Sequence, residues 1–352
     1  MFGKSSQSLL GIDISSSVVK VLELSKKGDK YIVESYAVEP LSENAVVDSG
    51  IENKEDVASA IRRALKQSGS KAKDTAVAVP ANATITKVLS YPADLSEREM
   101  EEQILLDAES HIPYPIEEVR LDFEILGPSE SDENAVDVLL AASRSENVDA
   151  RTDVIEMAGL KPKVVDVEAY TIENAFPFLT SQLPLNGQGL TVAVVDIGAT
   201  VTTLHVLVDG KIVFTREQAF GGKMLTDNIS QHYGMSSQEA GQAKKENNLP
   251  DDYGPKVLDP FKQLMVATVT RALQFFFSTS TQYHSIDHIL LAGGCASIQG
   301  VDSLIESETN TTTTIANPFV DMSLSSKVSI SALNRDAPSM LIACGLAIRN
   351  FS

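Results

Sequence analysis

Two aspartates in this chain each close an apolar run and lead straight into small residues: Leu10-Gly11-Ile12-Asp13-Ile14-Ser15-Ser16-Ser17, and Val194-Val195-Asp196-Ile197-Gly198-Ala199-Thr200. A carboxylate ending a buried strand, beside the outward N–H groups of a tight turn, can hold Mg2+ through water and cradle phosphate oxygens. The three serines add hydroxyl donors and Lys20 a positive charge. Gly198 lets backbone approach closely, and Thr200 can bond an oxygen. One such turn alone reads equally well as a strand end where Asp and Ser satisfy backbone groups. Two matching copies half a chain apart favour a shared chemical task. A third stretch, Ile289-Leu290-Leu291-Ala292-Gly293-Gly294-Cys295-Ala296, runs from an apolar strand into glycines ahead of a helix. Backbone amides meeting at a helix N-terminus suit phosphate, and bare glycine backbone leaves room for an adenosine. The plainer alternative is a simple strand–helix turn.

The elements around these turns repeat. Aligning Asp13 with Asp196 puts Ile14 on Ile197, Ser17 on Thr200, Val18 on Val201 and Leu24 on Leu207. In each copy a second apolar strand follows the turn, then a Gly-containing hairpin (Gly28; Gly210) and a third strand, at 31–38 and 211–215. The first copy continues through a helix at about 53–68, with Val57, Ile61, Ala64 and Leu65 on one face, into a strand at 75–80. The second reaches its matching strand at 288–292. The pattern predicts an α/β protein made of a duplicated βββαβα unit, with a cleft between the paired turns.

The halves carry unlike insertions. Residues 84–158 form an α/β block: a strand at 84–91, a capping-box helix from Ser96 with Met100, Ile104, Ala108 and Ile112 on one face, strands at 119–127 and 135–142 around an acidic loop 128–134, and a helix at 145–158. Residues 222–283 read as helical, with breaks at Gly234, Pro250 and Pro255. Their closing run Phe275-Phe276-Phe277 suits core packing better than a partner patch, and Thr311–Thr314 suits an edge strand. The expected organisation is a first half of 1–83 with 159–189 and 330–352, the inserted unit 84–158, a second half of 190–221 with 284–329, and a helical unit 222–283.

Composition narrows the function. The 352 residues hold 29 lysines and arginines against 48 aspartates and glutamates, a net charge of −19. That balance opposes coating of nucleic-acid phosphates and adhesion to an anionic membrane. Two cysteines exclude a disulfide framework and fit a reducing compartment. No stretch reaches the roughly 18 apolar residues of a membrane span, and Asp13 interrupts the N-terminal apolar run where a signal peptide would need continuity. A soluble, cytoplasmic protein is expected.

In this order the three turns resemble the superfamily of actin, Hsp70 and sugar-kinase ATPases, whose fold is the duplicated, ribonuclease H-like actin fold. The resemblance makes Asp13 and its serines the first phosphate loop, Asp196, Gly198, Ala199 and Thr200 the second, and Gly293, Gly294, Cys295 and Ala296 the adenosine loop. Residues 164–176 and 339–349 resemble the two linking helices, with Glu168 near the place of a catalytic water. The block at 84–158 is similar to the relocated subdomain of the cell-division protein FtsA. Over almost the whole chain the resemblance is to the PilM family of type IV pilus assembly proteins, carried by Leu10-Gly-Ile-Asp13, Tyr91-Pro-Ala-Asp, Glu109-Ser-His-Ile-Pro-Tyr-Pro115, Val194-Val-Asp-Ile-Gly198, Phe220-Gly-Gly-Lys, Tyr233-Gly-Met-Ser236 and Leu291-Ala-Gly-Gly294.

The resemblance implies ATP or ADP with Mg2+ between the halves. Asp13 and Asp196 would serve the metal, and Asp13 and Glu168 would position water. Gly11, Ser15, Ser16, Ser17, Lys20, Gly221, Gly222 and Lys244 join the residues of the three loops around the nucleotide. It also implies a groove beside the inserted unit for the N-terminal cytoplasmic peptide of PilN, contacts with the pilus assembly and retraction ATPases, self-association, and attachment to the inner membrane through partners. Two alternatives on the same fold are a small-molecule kinase and an FtsA-like division protein. The latter is disfavoured because the sequence stops at Ser352, where FtsA carries an amphipathic membrane helix. One departure stands out: where the family has Ala-Glu-x-x-Lys near the ribose, this chain has Ala240-Gly241-Gln242-Ala243-Lys244, leaving Glu239 or Gln242 to replace the missing carboxylate.

Other patterns carry less. His284 and His288 have a metal-like spacing only on a helix; on a strand they stand about 13 Å apart. The glycosylation patterns at Asn82 and Asn310 have no secretory context. Cys295 reads as a small packed residue.

Overall fold

The computed structural model describes residues 9–129 and 132–351. Residues 1–8 of the expected first half, Glu130 and Ser131 of the acidic loop, and Ser352 lie outside the described residues.

The first half opens with β1 (Leu10–Ile14), β2 (Val18–Lys27) and β3 (Lys30–Pro40), an antiparallel meander, and a two-residue pair β4 (Val46–Val47) and β5 (Gly50–Ile51). Helix α1 (Lys54–Ser68) starts on the Asn53 cap and stops at Gly69, whose φ of 67° fits a left-handed C-cap that glycine adopts without strain. It leads to β6 (Asp74–Val79), parallel to β1. Every residue of β1 is buried, as a central strand covered on both faces requires.

The inserted unit follows: β7 (Thr84–Pro92), α2 (Glu97–His111), β8 (Val119–Pro128) and β9 (Ala135–Arg144), forming a three-stranded sheet in the order β7-β9-β8. Ser96 and Glu99 complete the capping box of α2, and its inner face packs Met100 and Ile104 on Tyr91, Val138 and Leu140. The unit ends at Arg144, before position 158. Helix α3 (Ser145–Met157) belongs to the first half, because Val154 and Ile155 are fully buried against Val57, Ala60 and Ile61 of α1. Strand β10 (Lys161–Val167) then lies parallel to β6 and leads into α4 (Glu168–Ala175).

The second half repeats the first. Strands β11 (Thr191–Ile197), β12 (Thr202–Val208) and β13 (Lys211–Gln218) form its meander. Helices α5 (Gly222–Tyr233), α6 (Ser237–Glu246) and α7 (Asp259–Thr279) make the helical unit. Gly234 caps α5 in the left-handed region and Pro250 lies in the non-helical stretch after α6, but Pro255 sits in the first turn of a π-type segment (Gly254–Leu258) that runs straight into α7, so it begins a helical stretch instead of breaking one. Consecutive residues on a helix point about 100° apart, and the Phe275–Phe277 run divides accordingly. Phe276 is buried, while Phe275 and Phe277 are 39% and 36% exposed. Strand β14 (His288–Ala292) lies parallel to β11, and after α8 (Val301–Thr309) the Thr-rich run supplies the edge strand β15 (Thr313–Ile315).

The two sheets run β10-β6-β1-β2-β3 and β15-β14-β11-β12-β13, the same order with the same directions, so the duplication extends to topology. A short β16 (Ser323–Leu324) adds to β3, so the chain returns to the first sheet ahead of position 330. Helices α9 (Ile330–Asp336) and α10 (Leu341–Ala347) finish it. Six of the seven residues of α10 are buried, and α10 crosses α4 in backbone contact. A Cβ on Gly345 would stand 1.9 Å from the Thr171 carbonyl oxygen. No helix among the described residues is long and apolar enough to cross a membrane.

Candidate functional site

The hairpin register places the first turn's chemistry. In β1–β2, Asp13 stands opposite Lys20, and Lys20 Nζ meets Asp13 Oδ2 at 2.7 Å with side-chain exposures of 11% and 2%. In β11–β12 the equivalent partner of Asp196 is Thr203, so the second turn lacks the built-in cation. Burial alone would lower the Lys20 pKa, but the charges of Asp13 and Asp196, the hydrogen bond to Asp13 and the charge of Glu168 together raise it. Lys20 is therefore a fixed ammonium among three carboxylates.

Two of those carboxylates, Asp196 and Glu168, are held above their ordinary range. Burial pushes Asp196 up to about 6, with Asp13 adding to the rise and Lys20 opposing it. Glu168, first residue of α4, is pushed up to about 8 by burial and by Asp13, against the pull of Arg151. A group of acids that resists full ionisation gains by taking up a cation. Asp13 and Asp196 supply the hard oxygens that Mg2+ prefers through its water shell.

The two turns meet. Thr200 Oγ1 donates to Ser16 Oγ at 3.1 Å across the cleft, and Lys223 of α5 reaches Glu43 of the first half at 3.7 Å. Ser15 closes its own turn by donating from Oγ to the Val18 carbonyl at 2.9 Å, and the Ser17 carbonyl accepts from the Leu41 N–H at 2.9 Å. Gly198 and Ala199 carbonyls take the first N–H groups of α5, Gly222 at 3.0 Å and Lys223 at 2.8 Å, which fixes the second turn against that helix. A Cβ on Gly221 would stand 2.5 Å from the Ala199 carbonyl, and only a bare backbone fits there.

The Gly293–Ala296 turn completes the arrangement. Gly293, at φ 82°, approaches so closely that a Cβ would lie 2.4 Å from the Ile197 carbonyl oxygen and 2.5 Å from Asp196 Oδ1. Gly294 is exposed with no neighbour within 4 Å of its missing Cβ, an open backbone shelf beside the second aspartate. Cys295 and Ala296 are buried beneath it. Burial pushes the Cys295 thiol up to about 11, and its Sγ lies 3.6 Å from the Gly198 carbonyl, which makes it a packed, protonated thiol. The bare-backbone shelf, the paired aspartates and the fixed ammonium fit a nucleotide with its divalent ion.

Other expected residues lie elsewhere. Gly11 turns towards α10, where a Cβ would stand 2.4 Å from the Ala343 carbonyl, so the space it leaves is filled by helix backbone. Lys244 donates to Thr226 Oγ1 at 2.6 Å and the Gly222 carbonyl at 3.3 Å, and burial lowers its pKa; it braces α6 on α5 at the edge of the site. Neither neighbour of Gly241 is free to replace the family carboxylate. Glu239 is held in the capping box by Ser236, and Gln242 hydrogen-bonds Glu246 one turn on. His288 is buried with Nε2 3.0 Å from Thr314 Oγ1, and among the described residues no group of three metal-ligating side chains gathers.

The sequence reading missed Arg151 and Glu217. Arg151 is 2% exposed, and its guanidinium donates to the carbonyls of Ala78 at 2.7 Å, Ser49 at 2.9 Å and Asn147 at 3.1 Å. Its signal was present: an arginine at helical spacing from Val154 and Ile155 lies on the apolar face of α3. Glu217, on the edge strand β13, had none.

A sequence model of the family described as type IV pilus assembly protein PilM matches residues 11–351. Among solved structures, the chain is similar to the PilM-PilN type IV pilus biogenesis complex, at 25% identity and a TM-score of 0.80 over 98% of this chain and 99% of that one. It is also similar to the ethanolamine utilization protein EutJ from Carboxydothermus hydrogenoformans, at 14% identity and a TM-score of 0.57 over 97% and 89%. At that identity the second likeness is one of fold, and the shared fold is that of actin-like ATPases.

Proposed function

Because the chain belongs to the PilM family of type IV pilus assembly proteins, we propose that it is a nucleotide-responsive scaffold. In this reading it binds ATP with Mg2+ between its duplicated halves and grips the N-terminal cytoplasmic segment of PilN beside the inserted unit. The observation that carries the nucleotide part is the meeting of the two Asp turns, with Ser16 and Thr200 in contact at 3.1 Å and Lys20 fixed against Asp13. The PilM-PilN complex supports the partner.

Bound there, Mg2+ would neutralise phosphate charge and order water. The remaining roles belong to the chain. The Ser15 and Gly198 N–H groups close their own turns on the Val18 and Val201 carbonyls at 3.0 Å each, so the N–H groups of Ser16, Ser17, Ala199 and Thr200 would be the ones offered to phosphates, with Lys20 adding charge and the Gly293–Gly294 backbone leaving room for the adenosine. Asp13 and Asp196 would hold the ion through its water shell. In the nucleotide-free chain burial pushes Glu168 up to about 8, so there it holds a proton at neutral pH and is a poor acceptor for a proton from water. ATP serving as a bound ligand, turned over slowly or not at all, fits that environment. Closure around it selects one arrangement of the halves, and partner affinity follows that arrangement. Attachment to the inner membrane goes through PilN, and the exposed Glu97, Glu101, Glu102 and Glu109 of α2 would steer a basic stretch of the partner segment.

Calorimetric titration of a PilN N-terminal peptide, with and without Mg2+-ATP, tests the reading. Peptide binding whose affinity changes with nucleotide supports it. Absence of peptide binding in both conditions overturns the scaffold role, and absence of nucleotide binding overturns the site.

A further inference from the structure

The inserted unit is held from across the cleft. Asn82 lies in the single turn, Ala81–Ala83, that carries the chain from β6 into β7. Glu217 lies near the end of β13 in the other half, where its register partner is Thr203, itself paired with Asp196. Asn82 Nδ2 donates to Glu217 Oε2 at 2.9 Å.

That turn is also tied to the limb by which the chain leaves the insertion. Ser143 Oγ donates to the Ala83 carbonyl at 2.7 Å, and Arg151 Nε donates to the Ala78 carbonyl at 2.7 Å. Both limbs of the root therefore move as one piece, and Glu217 grips that piece. Glu168, at the start of α4, is within electrostatic reach of Asp13, Arg151, Glu217 and Asp196. Contacts elsewhere also join the halves: Ser16–Thr200 and Glu43–Lys223 across the cleft, and, at the start of β13, Glu173 of α4 accepting from Lys211 Nζ at 2.6 Å and from the Ile212 N–H at 3.0 Å; Asn82–Glu217 reaches the root of the insertion itself.

We propose that Glu217 and Asn82 are a positioning pair: the hydrogen bond between them carries closure of the nucleotide cleft to the root of the inserted unit and so couples nucleotide to peptide affinity. The inference rests on the reading above, that the cleft takes Mg2+-ATP and the groove beside the insertion takes the PilN segment. The pair is a two-state element, made when β13 approaches the root and broken when the halves part.

The test is a set of calorimetric titrations of a synthetic PilN N-terminal peptide, with and without Mg2+-ATP, into the full chain. The variants are Asn82→Ala, Glu217→Ala, Glu217→Gln and the double alanine variant. The wild-type affinity ratio is expected to be about fivefold or more. Both single alanine variants should bring it to within about twofold of one, and the double variant should add nothing further, as two ends of one interaction behave. Glu217→Gln keeps an oxygen acceptor for Asn82 and should keep the ratio, an outcome that general loss of folding would not give. An unchanged ratio in the alanine variants overturns the proposal, as does a glutamine variant that loses the ratio as fully as alanine. A wild-type protein that binds both ligands with a ratio of one also overturns it, while failure to bind either ligand overturns the reading beneath it and the pair with it.

Discussion

Replacing Lys20 by Met removes the ammonium paired with Asp13 while keeping most of the side chain's length. Lys20 and Asp13 are 11% and 2% exposed and joined at 2.7 Å, so the variant leaves the Asp13 carboxylate buried beside Asp196 and Glu168 without its own partner cation. Removing one partner of such a pair costs about 3–5 kcal/mol, a large share of the ~5–15 kcal/mol that holds a domain folded. Urea unfolding followed by circular dichroism reads that loss directly. Adding Asp13→Asn to Lys20→Met removes the stranded charge, and the double variant should regain most of the stability while binding Mg2+-ATP no better. A single variant that loses less than about 1 kcal/mol, or a double variant no more stable than the single, would refute the reasoning that this pair is a buried, mutually dependent one.

Three further outcomes follow from the same geometry. Glu168 and Asp196 have folded pKa values raised to about 8 and about 6, above their ordinary 4.5 and 3.8, so the folded state holds protons that the unfolded state releases. Their contribution to stability is greatest below pH 4 and is lost as pH rises towards 8; Glu168→Gln should flatten the fall between pH 4.5 and 8 in a nucleotide-free unfolding series. Gly345→Ala drives a Cβ to 1.9 Å from the Thr171 carbonyl and must force α10 from α4, a loss of at least about 1–3 kcal/mol in the same urea assay. Gly241→Glu has room, since its nearest neighbour is Thr226 Cγ2 at 4.0 Å, and restores the family carboxylate. It should tighten ATP by roughly tenfold, about one hydrogen bond's worth, and raise the melting temperature by removing a mid-helix glycine.

Much of this was legible in the sequence because duplication fixes register. Once Asp13 and Asp196 align, the hairpins place Lys20 and Thr203 at equivalent points, and the asymmetry between the turns needs no coordinates. The limits of the inserted unit were less legible. Helix α3 follows β9 without a break, and only its burial against α1 assigns it to the first half. Gly11 looked like part of a phosphate loop because it precedes Asp13, yet strand alternation turns it towards α10. Glu217 was invisible: a glutamate on an edge strand is ordinary, and its importance comes from Asn82, far away in sequence and brought close only by the facing of the halves.

The claim that the two duplicated turns form one nucleotide site is tested most directly by titrating Mg2+-ATP into the wild-type chain and into Asp196→Ala. The carboxylate orients the ion's water shell, so its loss should weaken Mg2+-ATP by about 10–100-fold. Equal affinity in the two proteins would contradict the assignment of Asp196 and, with it, the pairing of the turns.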